Sequence, residues 1–268
     1  MSMSAIGRYF RIFGLFVKLG LMRQMAYRPH FFMMIIGKVV RIGLLFFFFQ
    51  AIFLKVDRIG QWTYDQVLLL FATFHVVDYV MSITFQRNLA SYLPNNIQTG
   101  ELDARMVLPV NLLFFTSFEH LDLVDFFSFL PSLGFLGYVF YRLGFSFSLG
   151  QALLYVALLI NSLLFLYALV LIIATVSFWT TQSYGLGRIF DNLLKLGRYP
   201  LDIFEGSLKV AFVYFLPLVV IAQLPSQALL QTHSPWFVVF AFSITILFLA
   251  VALCFWRFGV KNYLSASS

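Results

Sequence analysis

The chain has 268 residues, of which 61% are hydrophobic and 11% charged, with a net charge of +7 and a single cysteine. Soluble domains carry about 45–50% apolar and about 25% charged residues, so a water-soluble fold is excluded. One cysteine, Cys254, cannot form an internal disulfide. The basic residues flank apolar runs rather than interleaving with aromatics on a soluble face, which points to anionic lipid headgroups and not to nucleic acid. Long continuous apolar runs such as Ile42 to Leu54 suit helices and do not suit the short alternating strands of a membrane barrel.

Met1 to Pro29 lacks the apolar core and small-residue cleavage site of a signal peptide and is expected to be retained. Within it Ile6, Tyr9, Phe10, Phe13, Phe16 and Val17 recur at helical spacing, with Arg8, Arg11 and Lys18 on the other side. That pattern predicts an amphipathic helix lying in the membrane interface. Tyr27, Arg28 and Pro29 end it, because proline disfavours helix at the residue before it. A first span is expected from about Met33 to Leu54. A loop with Lys55, Asp57, Arg58 and Gly60 leads to a second span from about Tyr64 to Tyr92.

The stretch with Pro94, Asn95, Asn96, Gly100, Glu101, Asp103 and Arg105 is too polar to cross lipid and must lie in water. A third span is expected from Leu112 past Pro131 to Tyr141, and a fourth from about Gly150 to Trp179. A last one runs from Trp236 to Trp256, followed by Arg257 and Lys261. Between Thr180 and Pro235 two candidates compete for the fifth span. One is diluted by Arg188, Asp191, Lys195 and Arg198; the other, Leu208 to Leu230, is broken by Pro217 and Pro225. Either choice gives six crossings. Lys and Arg concentrate in the N-terminal arm, beside the Leu93 to Val110 loop and at the C-terminus, which places both termini and that loop in the cytoplasm.

Charges inside spans cost about 2.5–3.5 kcal/mol each and need partners or a wet cavity. Arg41 lies 13 residues before Leu54 and Asp78 lies 13 residues after Asp65, so antiparallel neighbours bring them to similar depth, and an ion pair is expected. Snorkelling of Arg41 and Lys38 to the headgroups, with Asp78 facing a wet interior, is the competing reading. Glu119, Asp122 and Asp125 fall on one side of the start of the third span, where a helix dipole favours acids. Asp191 and Lys195 have i,i+4 spacing, and with Arg188 and Arg198 they line either a pathway or a solvated face. There is no phosphate-binding loop, since Gly185 and Gly187 lack the lysine and the strand-to-helix context, and the four histidines have no metal-ligand spacing. No nucleophile, acid and metal constellation suggests an enzyme.

The sequence resembles permeases of type-2 ATP-binding-cassette exporters, in the branch described as an uncharacterised ABC transport permease. The phrases that carry the likeness are Ile97-Gln98-Thr99-Gly100-Glu101-Leu102-Asp103, Leu108-Pro109-Val110-Asn111, Gly197-Arg198-Tyr199-Pro200-Leu201, Phe215-Leu216-Pro217 and Pro225-Ser226-Gln227-Ala228-Leu229-Leu230. The resemblance implies a single all-α polytopic domain over 1–268, with an interfacial arm at 1–30, six transmembrane helices, a cytoplasmic coupling loop at 93–111 and short re-entrant outer-leaflet helices at 201–230. It favours the charged segment as the fifth helix, ending near Tyr199-Pro200. Where relatives often have a second proline and tryptophan, this chain has Phe204-Glu205-Gly206-Ser207-Leu208.

It further implies an ATPase-coupling set of Asn96, Gly100, Glu101, Leu102, Asp103, Arg105, Leu108 and Pro109. Arg41, Asp78, Asp191, Lys195 and Arg198 are the pathway candidates. The chain would bind no cofactor itself; two nucleotide-binding ATPase subunits would use ATP and magnesium. A second permease, a related chain or an identical copy with the related chain favoured, would complete the pathway in a bacterial inner membrane. Expected cargo is a lipid, glycan, peptide or hydrophobic drug. The rival class is an ion-coupled secondary carrier or channel, for which Asp78 and the Glu119 cluster are the only candidate ion site and no inverted repeat is apparent.

Overall fold

The computed structural model describes residues 5–24, 28–144, 147–180, 191–232 and 234–263. Arg188, one of the charges flagged in the sequence, lies outside the described residues. The fold is all-helical, without strands among the described residues. Among the described residues four helical stretches are long and apolar enough to cross a membrane: Ile35–Phe53, Tyr64–Gln86, Leu149–Val176 and Pro235–Lys261.

Helix α1 (Ala5–Gln24) is the arm and α2 (Arg28–Phe53) is the first long apolar helix. Helix α3 (Tyr64–Met81) begins where the Gln66 side chain accepts from the Thr63 N–H at 3.0 Å, satisfying one of the amides that a helix start leaves without a partner. It is apolar all round, and that is why it sits at the centre. Val67 through Ala72 are fully buried, against α7 on one side and α8 on another. By contrast α2 and the last long helix turn large apolar side chains outward, including Val40, Leu44, Phe47, Ile246 and Val251, as lipid-facing helices do.

The helix of α3 runs on through two π-helical turns, Ser82–Gln86 and Asn88–Tyr92, into α4 (Leu93–Thr99). Gly100 then takes a left-handed conformation, φ 76°, at the junction with α5 (Glu101–Met106). A side chain at this position would be strained, which accounts for glycine between two short helices.

The third apolar stretch is not one continuous helix. Helix α6 (Leu112–Phe118) ends, the chain breaks over Glu119–Asp122, and α7 (Leu123–Arg142) begins. The cause lies across the interface. Asn88 donates from Nδ2 to the His120 carbonyl at 2.7 Å and accepts from the His120 N–H at 3.0 Å, so its amide takes over the hydrogen bonds that helix would have made. The Asp122 N–H goes to the Ile83 carbonyl at 3.1 Å, inside the π-helical turn. Helices tolerate such single-turn widenings chiefly where another element uses the groups they free.

Helix α8 (Leu149–Val176) starts with a reciprocal Ser148–Gln151 capping box. A short 3₁₀ turn, Lys195–Arg198, precedes the segment that returns into the bundle, α9 (Gly206–Val210) and α10 (Gln223–Leu229) among it. Residues Leu218 to Ala222, with Leu224, Ala228 and Leu229, are buried, and this stretch packs against α3 and α8. Its polar groups are satisfied internally. Ser162 donates to the Val220 carbonyl at 2.7 Å, Gln151 to the Leu229 carbonyl at 2.7 Å, and Ser226 meets Thr73, which in turn meets Tyr155. Helix α11 (Pro235–Lys261) closes the fold along α8.

Candidate functional site

Ion pairs at the arm end join the polar loop to the bundle. Arg105, on α5, makes a two-pronged contact with Glu119 just after α6, Nε to Oε2 at 2.9 Å and Nη2 to Oε1 at 3.3 Å. Its Nη1 also reaches the Glu101 carbonyl at 2.9 Å. Arg87, between the two π turns, pairs with Asp122, and Lys38 on α2 pairs with Asp125 on α7. The three acids grouped in the sequence therefore do not share one helix face aimed at a pathway. They straddle the break between α6 and α7, each with its own basic partner. Asp122 also serves as the cap of α7, with Oδ1 accepting from the Asp125 N–H at 3.4 Å, which supports the helix-start explanation for these acids.

Leu102 is fully buried and Asn96 and Ile97 nearly so, which fixes the two short helices of the loop onto the bundle. Glu101 is exposed, as are Leu108 and Pro109. Beside Asp103 stands Tyr263, beyond the end of α11; burial pushes its phenol up from the ordinary tyrosine value, and the neighbouring Asp103 carboxylate pushes it further. The phenol therefore stays neutral across the physiological range. The arm packs down on this same end. Tyr9, Phe13 and Phe16, the aromatic face read from the sequence, meet Phe114, Phe118 and Phe115 of α6 edge-on at 4.9, 6.2 and 5.4 Å between ring centroids.

Deeper, between α2, α3, α8 and the segment around Lys195, lies a polar cleft of about 220 Å³. It is lined by Lys38, Arg41, Asp78, Gln86, Asp191 and Lys195, with Phe74, Leu166 and Ile221 as its apolar wall. Thirteen residues of helix rise about 20 Å, so, counted from Leu54 and Asp65, Arg41 and Asp78 stand about that far along their helices. The expected pair between them is present, Nη2 to Oδ2 at 3.8 Å, too long for a direct hydrogen bond. The expected pair of Asp191 with Lys195 is not formed. Lys195 opens a 3₁₀ turn, where residues three apart align, and it bonds Asn192 at 3.1 Å. Asp191 accepts instead from Gln86 Nε2 at 3.0 Å, and Gln86 is itself held by Ser82 at 2.8 Å. Arg198 lies apart from the cleft, with its guanidinium over the Tyr199 ring at 5.0 Å.

Four of the five candidate pathway charges thus share one cleft. Gln86, which holds Asp191, was missed because a lone glutamine in an apolar run carries no spacing signal. At the opposite end Asp202 accepts from Trp62 Nε1 at 3.1 Å and from Lys209 at 2.7 Å, and Arg142 meets Asp65 at 2.8 Å. Among the described residues no group of acids, histidines and cysteines could hold a metal ion.

Apolar helices of membrane-spanning length and a short polar helix pair docked by ion pairs make up this arrangement. A family model described as ABC-2 family transporter protein matches residues 39–267. The chain belongs to the ABC-2 family of transporter proteins. Comparison with curated proteins and with solved structures finds no match. The permease is accordingly a transmembrane subunit of an ABC transporter, a kind of membrane subunit that is normally not catalytic and that works in general with an ABC ATPase.

Proposed function

We propose that the permease forms half of the translocation pathway of an ATP-driven exporter and receives the power stroke through residues 93–111. The observation that carries this reading is the bridge from Arg105 to Glu119, because it ties the most polar segment of the chain to the start of the membrane bundle. Glu101, Asp103, Leu108 and Pro109 form the face offered to the ATPase, while Asn96, Gly100 and Leu102 shape and anchor the helix pair behind it. Nucleotide-driven closure of two ATPase subunits, which hold the ATP and magnesium, pushes this segment. The bundle then rocks between inward-open and outward-open states.

On this reading α7 and the segment ending near Tyr199 are also spans, giving six crossings with both termini in the cytoplasm of a bacterium. The cleft with Arg41, Asp78, Asp191 and Lys195 belongs to the pathway, and Arg198 stands apart from it over the Tyr199 ring. Residues 201–230 form the outer re-entrant region, and a second permease, a related chain rather than a copy, faces the cleft. The cargo class is a lipid, glycan, peptide or hydrophobic drug moved outward. An ion-coupled carrier remains the second reading, favoured only by the loosely paired Asp78 in the cleft.

Gentle purification of tagged permease from its native cells, with identification of what accompanies it and an ATPase assay, tests the proposal. A stoichiometric nucleotide-binding subunit that is lost when Glu101, Asp103 and Arg105 are replaced is the expected result. A solitary protein indifferent to ATP favours the carrier.

A further inference from the structure

A second cleft, of about 380 Å³, opens at the arm end between the start of α6 and the last turns of α11. Its wall is apolar, with Leu112 from α6 and Leu253 and Trp256 from α11, and its rim is cationic, with Arg257 and Lys261. Among the described residues no acidic side chain lines it. This separates it from its neighbours on the same end of the bundle, where Arg87, Arg105 and Lys38 each have a carboxylate. Neither Arg257 nor Lys261 makes an ion pair or hydrogen bond among the described residues, and both are exposed. They stand four residues apart on one helix, a spacing at which like charges repel. The C-terminal dipole of α11 explains a cation there, but not a cleft of this size with an apolar wall beneath two of them.

The depth is set by what surrounds it. The amphipathic arm packs across α6, and Asn111, which lines the cleft, donates its N–H to Tyr9 of the arm at 3.3 Å. The cationic rim therefore lies level with an interfacial helix, where lipid phosphates are, and the leucine and indole wall leads from it toward the apolar bundle. We propose that this cleft seats the headgroup of an anionic phospholipid, its phosphodiester between Arg257 and Lys261 and the first methylenes of its acyl chains against Leu112, Leu253 and Trp256. The site stands independently of cargo and transport direction. Because Asn111 ends the coupling segment, a lipid held there also braces that segment against α11.

The test is native mass spectrometry of the full permease released from micelles with equimolar dioleoyl phosphatidylglycerol and dioleoyl phosphatidylcholine. Two cations near a lipid surface predict a preference for the anionic lipid of about tenfold or more. The R257Q/K261Q variant should lose it, whereas R8Q/R11Q, which removes two exposed charges from the arm outside the cleft, should keep it. Leu112→Trp fills the apolar side without altering charge and should also lower retention, and the charge-preserving R257K/K261R variant should bind, so that a poorly folded neutral variant does not decide the matter. Equal retention of the two lipids, or equal losses from the cleft and arm variants, overturns the proposal. So does displacement by soluble glycerol 3-phosphate, which would mark a site for free phosphate esters.

Discussion

Arg105 is the residue on which most converges. Its guanidinium holds Glu119 through two nitrogens and the Glu101 carbonyl through a third, so that α5, the break after α6 and the loop are tied by one side chain. Lysine cannot reproduce this planar fork. Arg105→Lys should therefore weaken ATP-linked transport nearly as much as Arg105→Ala, roughly fivefold or more, and the R105E/E119R exchange should recover part of it. Transport assayed in vesicles containing the whole complex measures both. For the cleft, Arg41→Ala and Asp78→Asn should show a coupling energy of about 0.5–3 kcal/mol in a double-mutant cycle on thermal stability, as residues in one ion pair do. Additive effects would mean that the two side chains act separately. The pair was legible in the sequence because two helices of equal register must place those charges at one depth. The fate of Asp191 was not legible, since it depended on a 3₁₀ turn that local spacing does not announce.

Between elements, close approach is the theme. An added Cβ on Gly259 of α11 would lie 2.7 Å from Phe178 and 2.9 Å from Thr175, just beyond and within α8 respectively. Gly259→Leu should thus lower the thermal stability of the detergent-purified permease by about 1–3 kcal/mol, the usual cost of overpacking. Gly43 on α2, with open space around it, should accept the same change with little effect. Gly60 combines a φ of 60° with Asp202 2.5 Å from where its Cβ would be, so Gly60→Ala should disturb the loop that meets the Trp62–Asp202–Lys209 cluster. Limited proteolysis of that loop is the readout. At this scale the long helices were plain from hydropathy. The break over Glu119–Asp122 was not, because its cause is the Asn88 amide on another helix, about thirty residues away in sequence.

Taken whole, the permease divides its charges by task. Fully partnered ones tie the polar segment to the bundle at one end. Arg41 and Asp78, loosely partnered, meet in the cleft, and Arg257 and Lys261 on α11 make no ion pair among the described residues. In the proposed reading the Arg105–Glu119 bridge gives the polar segment a mechanical lever into the bundle, and the ATPase docks on the arm end. The lone native cysteine, Cys254, is exposed and can be replaced by serine to leave a clean background for a single new thiol. In C254S/D103C permease, treated with a short bifunctional maleimide in native membranes, the account predicts a cross-link to the ATPase subunit whose yield changes with nucleotide, and none from K55C at the opposite end. A cross-link from K55C with none from D103C would contradict it.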